Sequence, residues 1–234
     1  MFNDDIQYDD LGPPYKIRKI TRQSTMASPQ DNKAASPSEV LETIQLEHVP
    51  STHTVHVAVF KDVTNSEFLH QQLLSRNTEF EYAFIDASSV TSRLQVLAAV
   101  YKAITIQLSG AMKTPNIHSE IVCSLSPNNN ISEAYRRFGI TPSSKHLIIA
   151  KVLITPPSPL TPSTLQDHLL ANVKGTPVPF TDETIQAEYL TDWAKVRKYY
   201  KLNNVGWLDG VQDESLKRKE MEFLVLGGMA LRGL

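Results

Sequence analysis

Seven histidines, one cysteine and 25 acidic residues are the chain's stock of metal ligands and of general acids and bases. A metal centre needs three or four such groups converging, and the spacing of these offers no such set. His53 and His56 stand three apart on a predicted strand, which puts them on opposite faces; they read as surface or pairing residues. Asp86 ends a predicted strand with no base or nucleophile beside it and reads as a cap. No Gly-x-Ser-x-Gly elbow and no Walker phosphate loop occurs. Gly227-Gly228-Met229-Ala230-Leu231-Arg232-Gly233 is rich in glycine, but a dinucleotide fingerprint must follow a strand and open a helix, and this run does neither. The reading is a non-enzymatic protein that works by holding partners, with no catalytic residue, no metal and no cofactor.

Residues suited to binding are easier to find. Lys102 interrupts an otherwise apolar helix, Lys113 follows that helix, and Arg136 and Arg137 are adjacent on a later one. With the amides of Asn128 and Asn130 they make a candidate patch for phosphate or RNA. The alternative is a solvated face on which Lys102 snorkels. The last predicted helix has more apolar side chains than one face can bury: Leu216, Met221, Phe223, Leu224, Val225, Leu226, Met229, Ala230 and Leu231. The excess belongs either to a partner surface or to a helix sandwiched in its own core. Gly227 and Gly228 lower helix propensity, which fits a site where another backbone approaches closely.

These residues need a scaffold. Period-two alternation predicts strands over 43–49 and 54–60. Thr64 and Glu67 form a candidate capping box ahead of the stripe Phe68, Leu69, Leu73 and Leu74. A short strand is expected over 82–86. Arg93 to Leu108 is apolar around much of its circumference and reads as a helix buried between layers, ended by Gly110. Glu120 to Leu125 reads as a strand. Asn130 is the expected cap of the next helix, with Glu133 at its third position and Gly139 at its end. His146 to Ile154 reads as a central strand. After the proline-rich stretch 155–162 come helices over 163–173, 181–190, 191–202 and 213–231. Strands mixed with helices, then helices alone, indicate α+β: a mixed, largely antiparallel sheet covered by helices, with a helical C-terminal section.

A chain of 234 residues has room for one full core. Residues 1–39 are rich in turn formers and poor in large apolar side chains, so they are expected to be a disordered tail; 40–234 form the single domain. Lys16, Arg18, Lys19 and Arg22 cluster in the tail, as a nucleic-acid or import contact or as solvated charge. A net charge of −2 gives no global field toward nucleic acid or an acidic membrane. Cys123 is alone, as in a reducing compartment. No run approaches the roughly 20 apolar residues of a membrane span, so cytosol or nucleus is expected.

Several stretches resemble a known family. Val59-Phe60-Lys61-Asp62-Val63, Met112-Lys113-Thr114, Ser119-Glu120-Ile121, Ser126-Pro127-Asn128-Asn129-Asn130-Ile131-Ser132-Glu133-Ala134, Phe138-Gly139-Ile140 and Lys198-Tyr199-Tyr200-Lys201-Leu202 are similar to the PRPK-binding protein family (TPRKB). The asparagine run with its flanks is the most specific, and the match covers about Leu41 onward. Members of that family are small non-catalytic subunits of the KEOPS, or EKC, complex. The resemblance implies direct docking on the complex's atypical kinase/ATPase, and through it contact with the threonylcarbamoyl transferase subunit. It implies support of threonylcarbamoyladenosine formation beside the anticodon of tRNAs reading A-starting codons. Archaeal members are regarded as holding the tRNA 3′ end; eukaryotic ones are linked to telomere maintenance and transcription, hence to nucleus and cytoplasm. On this reading the kinase-binding residues are Leu216, Met221, Leu224, Val225, Met229 and Leu231. The tRNA contacts, where made, are Lys102, Lys113, Asn128, Asn130, Arg136 and Arg137.

The match begins only near Leu41, and a family-length chain would start near Met26. Limited proteolysis is expected to remove residues 1–39 and spare the remainder. Protection of Tyr15 to Arg22 in the free protein would contradict the tail assignment.

Overall fold

The computed structural model of the chain describes residues 40–155, 160–186 and 190–232. The expected tail with its basic cluster, and residues 156–159 of the proline-rich stretch, lie outside them.

The alternating run before Pro50 forms only a three-residue strand, β1 (Glu42–Ile44). His48 takes a positive φ of 60°, which no strand accommodates, so the predicted strand over 43–49 is cut short. The second run forms β2 (His53–Lys61), followed by β3 (Ala83–Asp86) and β4 (Leu147–Ile154). A fifth strand, β5 (Thr176–Val178), was not legible, because Pro177 lies within it and only three residues pair with β2. The strand order is β1-β2-β4-β3, with β5 added to β2, and every pairing is antiparallel. The α+β reading holds.

Alternation along the strands loads both faces. Val55, Val57 and Val59 of β2 join Ala83, Ile85, Ile148, Ala150 and Val152 in one core, and Ala58 and Phe60 join Phe84, Leu147 and Ile149 in a second. The second core is closed by α1 (Ser66–Leu74), which buries Leu69, and by a later helix. The first is closed by α2 (Arg93–Leu108), α3 (Ile117–Ser124) and α4 (Ile131–Phe138). The later helix is α5 (Pro162–Asn172), which buries Leu165 and Leu169. Then come α6 (Asp182–Ile185), α7 (Trp193–Tyr199), α8 (Gly206–Asp209) and α9 (Glu214–Ala230), all of which add to the first core. The predicted helices over 181–190 and 191–202 are shorter: residues 187–189 lie outside the description, and Lys201, at φ 59°, ends the latter.

Three local expectations are corrected. Glu120 to Leu125 belongs to α3 and its C-cap, not to a strand. The side chain of Asn116 accepts the Ser119 amide (2.8 Å), and Ile117, Ile121 and Leu125 bury at helical spacing. A short apolar run buried on every side carries no period to distinguish strand from helix. The Thr64–Glu67 capping box is not made. Thr64 Oγ1 donates to the Lys174 carbonyl (3.2 Å), and Asn65 bridges to the Asn172 carbonyl (2.7 Å) and the Lys174 amide (3.0 Å); tertiary partners displaced the local cap. Of the two readings of His53 and His56, the surface one is corrected, since both are buried, while the pairing one holds for His56. His56 pairs with Thr43 across the β1–β2 ladder (2.9 Å) and with Thr54 (3.1 Å), and burial lowers its pKa. α2, by contrast, spans the predicted residues, with Ser92 accepting the Gln95 amide at its start and Gly110, at φ 69°, beyond its end.

Phe60 is fully buried against Phe84 and Leu69 of the second core. Phe60→Ala is expected to cost about 3–5 kcal/mol, seen as a lower urea midpoint with an unchanged slope. Leu94→Ala, on the solvent side of α2, is expected to shift stability by less than about 0.5 kcal/mol.

Candidate functional site

The candidate RNA residues are not one patch. Lys102, on α2, turns its Nζ to the Met229 carbonyl (2.8 Å) and the Arg232 carbonyl (3.4 Å), so it caps the C-terminal end of α9. Burial, and then the neighbouring Arg232, lower its pKa. Arg137 is equally engaged: it pairs with Glu133, donates to the Tyr199 carbonyl (3.0 Å) and lies over the Tyr199 ring at 5.1 Å. It ties α4 to α7 as a strut. Lys113 is exposed and stands apart, its backbone amide on the buried carboxylate of Glu120 (3.3 Å). Arg136 keeps 73% of its side chain exposed, with Glu133 its nearest carboxylate at 3.7 Å. The patch of four cations expected from the sequence is thus corrected to two engaged, Lys102 and Arg137, and two available, Lys113 and Arg136.

The asparagine triplet is a structural turn. Asn130 accepts the Glu133 amide (3.0 Å) as the cap of α4, while Asn128 accepts the Asn130 amide (2.9 Å) and donates to the Glu133 carboxylate (2.8 Å). Glu133 therefore turns to Asn128 and Arg137 rather than back to its own cap. Asn129 accepts from Arg232 Nε (3.1 Å), and the Arg232 guanidinium also donates to the Cys123 carbonyl. The residue that reaches the triplet from another element is thus Arg232, about a hundred positions away and invisible to any local motif.

Arg136 and Arg137 do share a cleft of about 720 Å³ with Asp86, Lys145, His146 and Lys195. Asp86 behaves as the expected cap, accepting the Ser88 amide (3.0 Å), and it also pairs with Lys195 at 3.6 Å. Burial, as the first cause, lowers the pKa of His146.

The last helix divides the six candidate partner residues by face. Met221, Val225 and Met229, at i, i+4 and i+8, are buried in the first core. They are corrected from partner contacts to core. Leu224 is half-buried against that core, and Leu216 and Leu231 are exposed. The opposite face carries Leu216, Phe223, Gly227 and Ala230. Phe223 is 57% exposed, and a Cβ built on Gly227 meets nothing within 4 Å. Helix α2 packs beside α9, and its outward side is apolar too: Leu94, Tyr101 and Leu108 are exposed, with Leu97 and Ala98 half-buried between them. The reading of α2 as buried between layers is corrected, since only Gln95, Val96, Ala99, Val100, Ala103 and Ile104 are covered. The α2 stripe is the exposed apolar surface that the sequence-based candidates missed; Phe223 belongs to the apolar excess expected of the last helix but not to its kinase-binding candidates. The signal was available in α2, whose apolar circumference exceeds what one core face can cover.

Asn130→Ala is expected to lower stability by about 1 kcal/mol through loss of the cap, and Lys102→Met by about 0.5–1.5 kcal/mol through the uncapped carbonyls of α9. Lys113→Met is expected to leave the urea midpoint unchanged; equal midpoints for all three would refute the assigned roles.

Comparison with known proteins gives one consistent result. The profile of a family described as "Kinase binding protein CGI-121" matches residues 60–233. The chain is 57% identical over 197 residues to the EKC/KEOPS complex subunit CGI121 of Gibberella zeae, a match covering 83% of this chain and 99% of that one. It is 49% identical over 207 residues to the subunit of the same name from Neurospora crassa, covering 83% and 99%. To the Schizosaccharomyces pombe subunit it is 38% identical over 149 residues, covering 64% and 82%.

Proposed function

We propose a role that starts from one premise: the chain belongs to the CGI-121 family of kinase-binding proteins. Its relatives are named subunits of the EKC/KEOPS complex, and the reading here is that this chain is a non-catalytic subunit of that complex, bound directly to its kinase. The observation that carries it is the pair of outward apolar faces on α2 and α9. Leu94, Tyr101 and Leu108 on one helix, and Leu216, Phe223 and the C-cap Leu231 of the other, are exposed, and the two helices pack on each other. An isolated exposed leucine needs no explanation, but six large apolar side chains exposed on two packed helices are more than scatter and are of the kind that marks a protein interface. The bare backbone at Gly227 lets a partner element approach closely.

The finer reading is that binding the kinase supports threonylcarbamoyladenosine formation in tRNA, with contact to the transferase subunit passing through the kinase. It extends to telomere maintenance and transcription, and to a nuclear and cytoplasmic location. Direct holding of the tRNA 3′ end is the less supported alternative, because Lys102 and Arg137 are engaged within the fold.

Phe223→Asp and Tyr101→Asp are each expected to abolish co-purification with the kinase subunit while circular dichroism and the urea midpoint stay near those of the parent. Val225→Asp, buried in the core, is expected to unfold the free subunit. Undiminished kinase binding by folded Phe223→Asp would place the interface elsewhere.

A further inference from the structure

The cleft at the end of α4 has charge, size and shape that kinase docking does not use. It is lined by α4, which supplies Arg136; by Asp86 and Ser88 at the end of β3; by the turn from Thr141 to Lys145 that leads into β4; and by α7 with the residues just before it. The turn is rigid. The Ser144 amide donates to the Thr141 carbonyl (3.1 Å), the Thr141 amide to Ser144 Oγ (3.0 Å), and Ser144 Oγ to Asp86 (3.2 Å). The α7 side is anchored as well, by the Asp192 amide on the Ser88 carbonyl (2.9 Å) and by Lys195 Nζ on Ser88 Oγ (2.6 Å).

We propose that this cleft binds a small phosphate monoester, its phosphate held by Arg136 and Lys145. Two of the four cations on its wall are neutralised: Lys195 by Asp86 and Arg137 by Glu133. Lys145 makes no ion pair among the described residues, and Arg136 reaches Glu133 only at 3.7 Å. An arginine fork and a lysine ammonium lining the same cleft match a phosphate dianion, one by bidentate geometry and the other as a point charge. The acids argue for one phosphate rather than a polymer. Asp86 and Asp192 line the same cleft and Glu133 lies beside it, so a chain of phosphates would pass carboxylates while a single group fits between them. Size argues for an organic body: about 720 Å³ is small-molecule scale. Leu190, Trp193 and Tyr199 offer apolar wall beyond the charged end.

The proposal stands apart from kinase docking, since none of these residues lies on α2 or α9. Its test is titration calorimetry of the full chain with adenosine 5′-monophosphate, inorganic phosphate, adenosine, a phosphoserine peptide and single-stranded RNA as separate probes. The monophosphate is expected to bind saturably, inorganic phosphate to compete with it, and adenosine to give no heat. Arg136→Gln and Lys145→Gln are each expected to weaken the monophosphate by about tenfold, with kinase co-purification and circular dichroism unchanged. The proposal is overturned by no saturable binding of monophosphate or phosphate, or by equal affinity in the double variant. Much tighter binding of peptide or RNA that phosphate does not compete with also overturns it, in favour of a macromolecular ligand.

Discussion

The β2–β4 ladder runs unbroken from His53↔Ile154 to Phe60↔Leu147, and side chains on both of its faces are buried. Two central strands covered on both sides require helices on both sides, so the rest of the chain is a search for enough apolar helix to close two cores. Two of the polar residues tolerated in the ladder show how strict the enclosure is. His56 and Lys151 are register partners. His56 is satisfied by Thr43 and Thr54, while Lys151 donates to the Glu81 carbonyl (2.5 Å) and lies 5.1 Å from the centre of the Tyr82 ring. Burial lowers both pKa values, which eases the proximity of two bases. At the neighbouring position the Val152 amide donates to His118 Nε2 (3.1 Å), and burial holds that imidazole neutral, its pKa pushed down to about 3. A neutral ring is what accepts such a bond.

Helices are not shared equally between the faces. α1 and α5 close the second core, while α2, α3, α4 and most of the C-terminal helices crowd onto the first. Buried at every position but Ser119, α3 acts as a second internal layer, with α2 and α4 against it. A buried polar chain fixes the arrangement: Gln95 Oε1 accepts from the Thr91 amide (2.7 Å), Gln95 Nε2 donates to Tyr200 Oη (2.9 Å), and Tyr200 Oη donates to the Leu125 carbonyl (2.5 Å). That chain joins the start of α2, the end of α7 and the end of α3. Fully satisfied networks of this kind specify one packing among many that apolar contacts alone would permit.

What could be read from sequence follows from where each signal originates. The bounds of α2, the cap at Asn130 and the central place of β4 were legible because each depends on neighbours in the chain: Ser92 with Gln95, Asn130 with Glu133, and an uninterrupted β-rich run. The strand assigned to 120–125 failed because burial on all sides erased its period. The capping box at Thr64 failed because Asn172 and Lys174, more than a hundred residues on, offered competing partners. Site residues follow the same rule. Lys102 and Arg137 looked like free cations, but their acceptors, the Met229 and Tyr199 carbonyls, lie 127 and 62 positions away. The core face of α9 could not be told from its outer face, since apolar residues populate both.

The geometry of α9 bears on what an interface there can achieve. A lone C-terminal helix would fray, and a partner would have to order it at a cost in entropy. Here Met221, Val225 and Met229 seat the helix in the core, Asp213 accepts the Ser215 and Leu216 amides at its start, and Lys102 meets its terminal carbonyls. Arg232, just beyond, is tied to Asn129 and Cys123. Both ends and one face are therefore held before any partner arrives, and the outward side chains Phe223 and Leu216 are carried on fixed backbone. Apolar area covered by any partner there would contribute to affinity with little loss to ordering the helix.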